Sequence, residues 1–167
     1  RRLLGLLTAP EQRLGHAAAP EMTLAENTLL TGFQRQKLGR RGFLNKSGAI
    51  AFAEKIVQKF DVRTPSVRNG AKSLSGGNLQ KFVIGREILQ SPRVFVVNQP
   101  TWGVDAAAAA FIRQALLELA EGGAGVLVIS QDLDELMEIS DSFMVLSEGK
   151  VSKPRPAKGI TIEEIGL

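Results

Sequence analysis

Apolar residues follow two rhythms along this chain. Ile50, Phe52, Ala53, Ile56, Val57 and Phe60 recur near a 3.6-residue period and predict an amphipathic helix over residues 47–60. Leu79, Phe82, Val83 and Ile88 predict a second helix from Asn78 to about Gln90, and Ile112, Ala115, Leu116 and Leu119 a third over 106–120, stopped by Gly122 and Gly123. Asp105 is placed to cap that third helix. Earlier, Thr23 with Glu26 three residues on has the spacing of a capping box and predicts a helix start. Short continuous apolar runs read as strands instead: 3–7, 94–97 and 126–129, the last two without alternation, as in strands buried on both faces. Residues 132–139 predict a short helix with Leu133, Leu136 and Met137 inward. A strand at 143–146 and a hairpin turn at Glu148-Gly149-Lys150 into Val151 follow. Helices interleaved with buried strands predict an α/β fold.

The polar stretches between these elements are of different kinds. Residues 31–46 are basic and glycine-spaced, which predicts an exposed loop whose charges form a solvated face. Residues 66–72 form a polar linker. It leads into Leu74-Ser75-Gly76-Gly77-Asn78, a glycine turn feeding straight into a helical pattern. Consecutive glycines let backbone N–H groups approach an anion, and the helix that follows aims its positive dipole end at the same point. The strand at 94–97 ends in Asn98-Gln99-Pro100-Thr101, and in open α/β sheets ligands sit at the carboxyl ends of strands. Two phosphate-handling elements thus lie at a fixed separation between Ser73 and Asp105.

Composition narrows the picture little further. The 167 residues, 44% hydrophobic and 23% charged, suit one globular core. No apolar run approaches the roughly 20 residues that span a bilayer, so a membrane role needs a partner. The chain has no cysteine, which excludes disulfides and cysteine metal sites. A net charge of +4 is read as a solvated basic surface. One tryptophan and no tyrosine supply a single-strand nucleic-acid platform poorly, so no nucleic-acid partner is expected. His16, the lone histidine, has no ligating neighbour in sequence and is read as structural or surface. No phosphate loop of the form G-x-x-x-x-G-K-[ST] is present. There is no initiator methionine, and the proline-rich 153–157 stretch runs into a ragged tail to Leu167. The chain is expected to be an internal fragment.

The segment LSGGNLQK resembles the signature of the nucleotide-binding domains of ABC transporters, and VFVVNQPTWGVD resembles their Walker B strand and D-loop. The motifs occur in the family's order and cover most of the chain. The resemblance implies a partial RecA-like ABC ATPase domain with a helical subdomain, lacking the Walker A segment. Its expected parts are a Q-loop-like segment at 1–22, a helical subdomain with the signature at 23–91 and a Walker B, D-loop and switch part at 92–167. Pro10-Glu11-Gln12-Arg13 is similar to a segment that replaces the usual glutamine loop in sugar and nucleoside importers. That likeness puts Glu11 at the Q-loop position; from the residues alone it reads as a solvated turn after Pro10.

By the same resemblance Ser75, Gly76, Gly77 and Asn78 hold the γ-phosphate of a nucleotide bound on a partner domain. Asp105 becomes the D-loop aspartate, and Trp102 either an interface or a core residue. The departures fall on the chain's own site. Asn98 stands where an aspartate would serve Mg²⁺, Gln99 where a glutamate would be general base, and Gln131 where a switch histidine would follow the second strand. All three are neutral amides, and losing a general base typically removes about 10²–10⁴-fold in rate. The resemblance therefore implies the degenerate second domain of a tandem bacterial importer ATPase for simple sugars or nucleosides, hydrolytically weak by itself. ATP and Mg²⁺ would need the Walker A segment or the partner domain. Implied partners are the first nucleotide-binding domain or a homodimer mate, transmembrane permease subunits and, indirectly, a solute-binding protein, at the cytoplasmic face of the membrane. A soluble tandem ABC protein acting on ribosomes and a non-catalytic structural remnant are the rival readings. The absence of an Asp-Glu pair and of a charged helical linker, with the Glu11 segment, counts against the first, the intact LSGG against the second.

Overall fold

The structure is a computed structural model that describes residues 1–40 and 42–159, so the expectation for the tail at 160–167 lies outside the described residues. The chain forms two compact units, Arg1–Ile129 and a second that begins at Ser130. The first is built on a parallel three-stranded sheet in the order β1 (Leu6–Ala9), β4 (Val94–Asn98), β5 (Gly125–Ile129). Leu6 is in register with Val94 and Val94 with Gly125. The first strand starts later than the apolar run at 3–7 predicts. Arg2–Leu4 is a 3-10 turn ended by Gly5 at φ 97°, and the Gly5 carbonyl accepts hydrogen bonds from the N–H groups of Arg93 and Val94. The turn brings the chain alongside β4, and only from Leu6 does it run in register.

Helix α1 (Leu24–Gly32) opens with the expected capping box: Thr23 Oγ1 accepts from Glu26 N–H, and the Glu26 carboxylate accepts from Thr23 N–H at 2.9 Å. The stretch after it is not wholly loop. β2 (Gly39–Arg40) and β3 (Phe43–Leu44) pair antiparallel, and Asn45 then caps α2 (Lys46–Lys59). Within the linker at 66–72, Val67 and Ala71 are buried, because the strip at Thr23 and Gly70 bridges back onto the start of α1.

Helix α3 (Gly76–Ile88) begins two residues before the expected Asn78, since Ser75 is extended (φ −63°, ψ 158°) and both glycines are already helical. Leu79, Phe82, Val83 and Ile84 are buried, and so are Arg86 and Glu87 on its remaining faces. The helix crosses α2 closely: a Cβ on Gly85 would lie 2.6 Å from the Phe60 ring. Helix α4 (Ala106–Glu121) is capped by Asp105 as expected, with Ile112 and Leu116 inward and Gly123 (φ 91°) ending it.

The two strands expected to be buried on both faces are not. Phe95 and Val97 are inaccessible, but Val94, Leu127 and Ile129 are exposed. Helices α3 and α4 pack on the sheet face that carries Leu7, Phe95 and Val97, and among the described residues no helix of the first unit packs on Val94, Leu127 and Ile129 of the opposite face.

The second unit contains α5 (Leu133–Ile139), capped by Asp132, and two small antiparallel pairs, β6 (Ser142–Phe143) with β9 (Arg155–Pro156) and β7 (Leu146–Ser147) with β8 (Lys150–Val151). The expected strand at 143–146 is thus split in two. The turn at Glu148 (φ 48°) and Gly149 (φ 76°) is the two-residue hairpin turn expected from the sequence. In α5 the expected inward residues Leu133, Leu136 and Met137 are only half-buried, while Glu135 is buried and accepts from the Ser130 hydroxyl at 2.9 Å.

Candidate nucleotide-facing site

The candidate site is assembled from three loops of the first unit. The signature turn comes first. Ser75 and Gly76 are exposed at the N-terminus of α3, and Gly77 is buried behind them. Ser75 Oγ accepts a hydrogen bond from Asn78 Nδ2 at 2.9 Å, while Asn78 Oδ1 accepts from Arg63 N–H at 2.8 Å. Asn78 therefore fixes the turn to the segment after α2, and the Ser75 hydroxyl proton is left to donate outward. The first N–H groups of a helix have no intrahelical acceptor, so this exposed end presents donors and the positive end of the helix dipole together.

The loop after β4 stands against that turn. Gln99 sits at φ 50°, a left-handed conformation uncommon for a residue with a side chain, and its N–H donates to the Ile129 carbonyl at 2.7 Å. The chain turns sharply there and is buried at Gln99 and Pro100. Gln80 of α3 is buried and donates from Nε2 to the Pro100 carbonyl at 2.8 Å, so the signature helix holds this loop directly. Further on, Asp105 Oδ1 accepts from Ala108 N–H at 2.9 Å, and that backbone hydrogen bond holds the Asp105 carboxyl below the usual carboxylate range. A Cβ on Gly77 would lie 3.1 Å from Asp105 Oδ2 and 3.2 Å from Ala108 Cβ, so the two loops are in contact where the glycine sits.

The third loop follows β1. Glu11 is exposed, and Arg13 reaches across to donate from Nη1 to the Gly76 carbonyl at 3.1 Å. A cleft of about 870 Å³ is lined by Glu11, Arg13, Leu74, Gly76, Asn98 and Trp102, among others. The structure thus brings Glu11, the signature turn and Asn98 to one cleft. Gln99 is buried beside it, and Gln131 lies exposed in the second unit. Trp102 is 64% exposed, which removes the core reading for it. His16 is exposed, in line with a surface role.

The donor set of this cleft suits an anion better than a cation. Glu11 is the only carboxylate among the residues lining it, and Asn98 contributes a neutral amide. Among the described residues no group of three or more His, Cys, Asp or Glu side chains stands together. A divalent cation seeking several oxygen ligands, with charge to match, does not find them here. Among the described residues no helix is long and apolar enough to cross a membrane.

Two groups of functional interest carry no role in the sequence reading. One is Arg13, there only the last residue of the Pro10-Glu11-Gln12-Arg13 segment. The other is a buried ion pair in α3: Arg86 Nε donates to Glu87 Oε1 at 2.9 Å, and Arg2 Nη1 donates to Glu87 Oε2 at 2.9 Å. Arg86 also donates to the carbonyls of Asn27 and Ala17, and its burial lowers its pKa while Glu87 opposes that shift. Adjacent opposite charges inside a helix whose other positions are apolar were the available signal.

Comparison with known proteins places these features in context. No family model matches the chain. The guanosine import ATP-binding protein NupO of Bacillus subtilis is 34% identical over 163 residues, 98% of this chain and 32% of that protein. The ribose import ATP-binding protein RbsA 1 of Rubrobacter xylanophilus is 38% identical over 99% of this chain and 32% of its own length. The glucose import ATP-binding protein TsgD13 of Haloferax volcanii is 38% identical over 98% of this chain and 30% of its own. The chain therefore spans about a third of the length of these relatives. Among solved structures, the dimeric ATP-binding cassette MJ0796 in a post-hydrolysis state with ADP and Pi superimposes with a TM-score of 0.74 at 22% identity, over 93% of this chain and 64% of that one.

Proposed function

We propose that this chain, 34–38% identical to import ATP-binding proteins for sugars and nucleosides, is part of such a protein of an ABC-type importer and supplies the signature half of an ATP site whose phosphate-loop half lies on a partner domain. The observation that carries this reading is the turn exposed at Ser75 and Gly76, which opens a helix and is braced from behind by Asn78, Gln80 and Asp105. Such a turn binds the γ-phosphate with backbone donors, a hydroxyl and a helix end already in place. Preorganised donors of this kind are what phosphoryl transfer requires of its surroundings.

The chain's own half of a second site is, in this reading, catalytically degenerate. Asn98, Gln99 and Gln131 stand at the metal, general-base and switch positions and carry no ionisable group. ATP is the nucleotide, and its Mg²⁺ is held by the Walker A segment or the partner domain, since among the described residues the carboxylates do not assemble a site for it. Asp105 bridges the two domains and Glu11 faces the membrane subunits. Residues 1–22 are the Q-loop-like segment, 23–91 the helical subdomain and 92–167 the remaining core part. The partners are the first nucleotide-binding domain of a tandem polypeptide or a homodimer mate, permease subunits and, indirectly, a solute-binding protein, at the cytoplasmic face of the membrane. The transported solute is a simple sugar or a nucleoside.

The test is Ser75→Asp in the intact protein assembled with its permease subunits. Aspartate is as good a helix cap as serine, so α3 keeps its start. Its charge, however, falls where the γ-phosphate is to bind. ATP turnover should collapse at unchanged thermal stability. Turnover equal to that of the unsubstituted protein would refute a signature acting on the partner's nucleotide.

A further inference from the structure

We infer that Arg13 is a positioning residue that ties the loop carrying Glu11 to the signature turn, so that displacement of this loop re-aims the phosphate-facing N–H groups at Gly76 and Gly77. The inference rests on the role proposed above for that turn. Arg13 Nη1 donates to the Gly76 carbonyl at 3.1 Å. The guanidinium is wedged between two loops: a Cβ on Gly76 would stand 3.1 Å from Nη1, and a Cβ on Gly103, in the loop after β4, 3.2 Å from Nη2. Glycine at both positions makes room for one planar fork. A lysine ammonium is a point charge and cannot fill both sides.

The backbone of Arg13 is equally bound. Its carbonyl accepts from the N–H groups of Ala17 at 3.1 Å and Ala18 at 2.8 Å, and Gly15 N–H donates to the Ala18 carbonyl, so residues 13–18 close on themselves as a unit. The far side of that unit is held by α3 itself, through Arg86 Nη2 donating to the Ala17 carbonyl at 2.8 Å. Two arginines therefore join the same pair of elements in opposite directions, one from loop to helix and one from helix to loop. Their attachment points on α3, Gly76 and Arg86, are about 15 Å apart along the helix axis. The two ties differ in environment. Arg86 is fully buried and paired with Glu87, while Arg13 is half-buried and lines the open cleft. The inner tie is buried and charge-paired and the outer one is open to solvent, which makes Arg13 the point where motion of the Glu11 loop reaches the signature.

The experiment uses the intact protein with its permease subunits, as Arg13→Ala, Arg13→Lys and Ser75→Asp. Amide hydrogen exchange is followed without nucleotide at Ala17 and Ala18 and at Leu79 and Gln80, where Leu79 N–H bonds to the Ser75 carbonyl in the first closed turn of α3. The turnover number and KM for ATP are measured alongside. Arg13→Ala should raise exchange about tenfold at both places, the size expected for one hydrogen bond from a charged donor, and leave amides of α2 and α4 unchanged. It should lower the turnover number with little change in KM, and Arg13→Lys should recover little of either effect. Unchanged exchange at Leu79 and Gln80 overturns the inference whatever Ser75→Asp does. Exchange rising throughout α2 and α4, or complete rescue by lysine, overturns it too. If exchange responds as expected while Ser75→Asp leaves turnover intact, the tie stands and the trans-acting role of the signature falls.

Discussion

An amide in place of a carboxylate keeps volume and most of the hydrogen-bonding outline but gives up the proton affinity and the charge. At Gln99 this substitution sits in a strained, buried corner, at φ 50° and held by the Ile129 carbonyl. The backbone there is fixed in a left-handed turn, while the side chain has no base to offer. Under the proposed function, Gln99→Ala should therefore change ATP turnover of the intact protein by no more than about twofold. Removal of a working general base would cost roughly 10²–10⁴-fold, and a loss of that size would mean that Gln99 takes part in the reaction. Glu87 is a different case. It is buried and accepts from both Arg2 and Arg86, so Glu87→Ala strands the buried Arg86 charge. Breaking a buried pair from one side costs about 3–5 kcal/mol, which denaturant unfolding would read as a lowered midpoint at constant slope. Neither the strain at Gln99 nor the burial of Glu87 follows from the local sequence, because both are created by segments that lie far away along the chain.

Elements show which local signals were sufficient. The capping box at Thr23 and Glu26, the Asp105 cap and the turn at Glu148 and Gly149 all formed as their residue types predict. Each is satisfied within four residues and needs no tertiary help. Acid should dissolve the two caps in a definite direction. Glu26 is lowered first by the hydrogen bond from Thr23 N–H, and Asp105 by that from Ala108 N–H. Their folded pKa values lie below the unfolded ones, so the stabilisation is complete above the unfolded carboxylate range and is lost as pH falls through the folded values. Circular dichroism on acid titration should show less loss of stability with Asp105→Asn than with the unsubstituted protein. Helix α3 is the counterexample to local legibility. Its apolar stripe was read correctly, but its remaining faces are buried as well, and Gly85 is where α2 comes closest. Gly85→Ala would push a methyl group to 2.6 Å from the Phe60 ring, although alanine is the better helix former. Overpacking of this kind typically costs about 1–3 kcal/mol, and a thermal midpoint equal to or above that of the unsubstituted protein would show that Phe60 simply moves aside.

At the scale of the molecule, the sheet is packed on one face by α3 and α4, and among the described residues its other face exposes Val94, Leu127 and Ile129. The proposed function belongs to this scale too, because an ATP site divided between two domains has no complete chemistry in either. The signature turn is exposed and braced, as a surface that meets a partner's ligand must be. The residues that brace it come from three loops separated by long stretches of chain.

The order of motifs, the helical periods, the caps, the hairpin turn and the neutral amides at 98, 99 and 131 were determined by the sequence alone, since each depends on residue identity and short-range spacing. Burial required the tertiary structure. An apolar run such as 126–129 is the same string whether a strand is covered on one face or two, and only the packing of α3 and α4 on a single face decided the matter. The same holds for Arg13 and Arg86. Their charge was evident from the start, but their partners at Gly76, Gly103 and Ala17 were fixed only when the loop after β1 folded against the signature helix, because a guanidinium is defined by what its fork can reach.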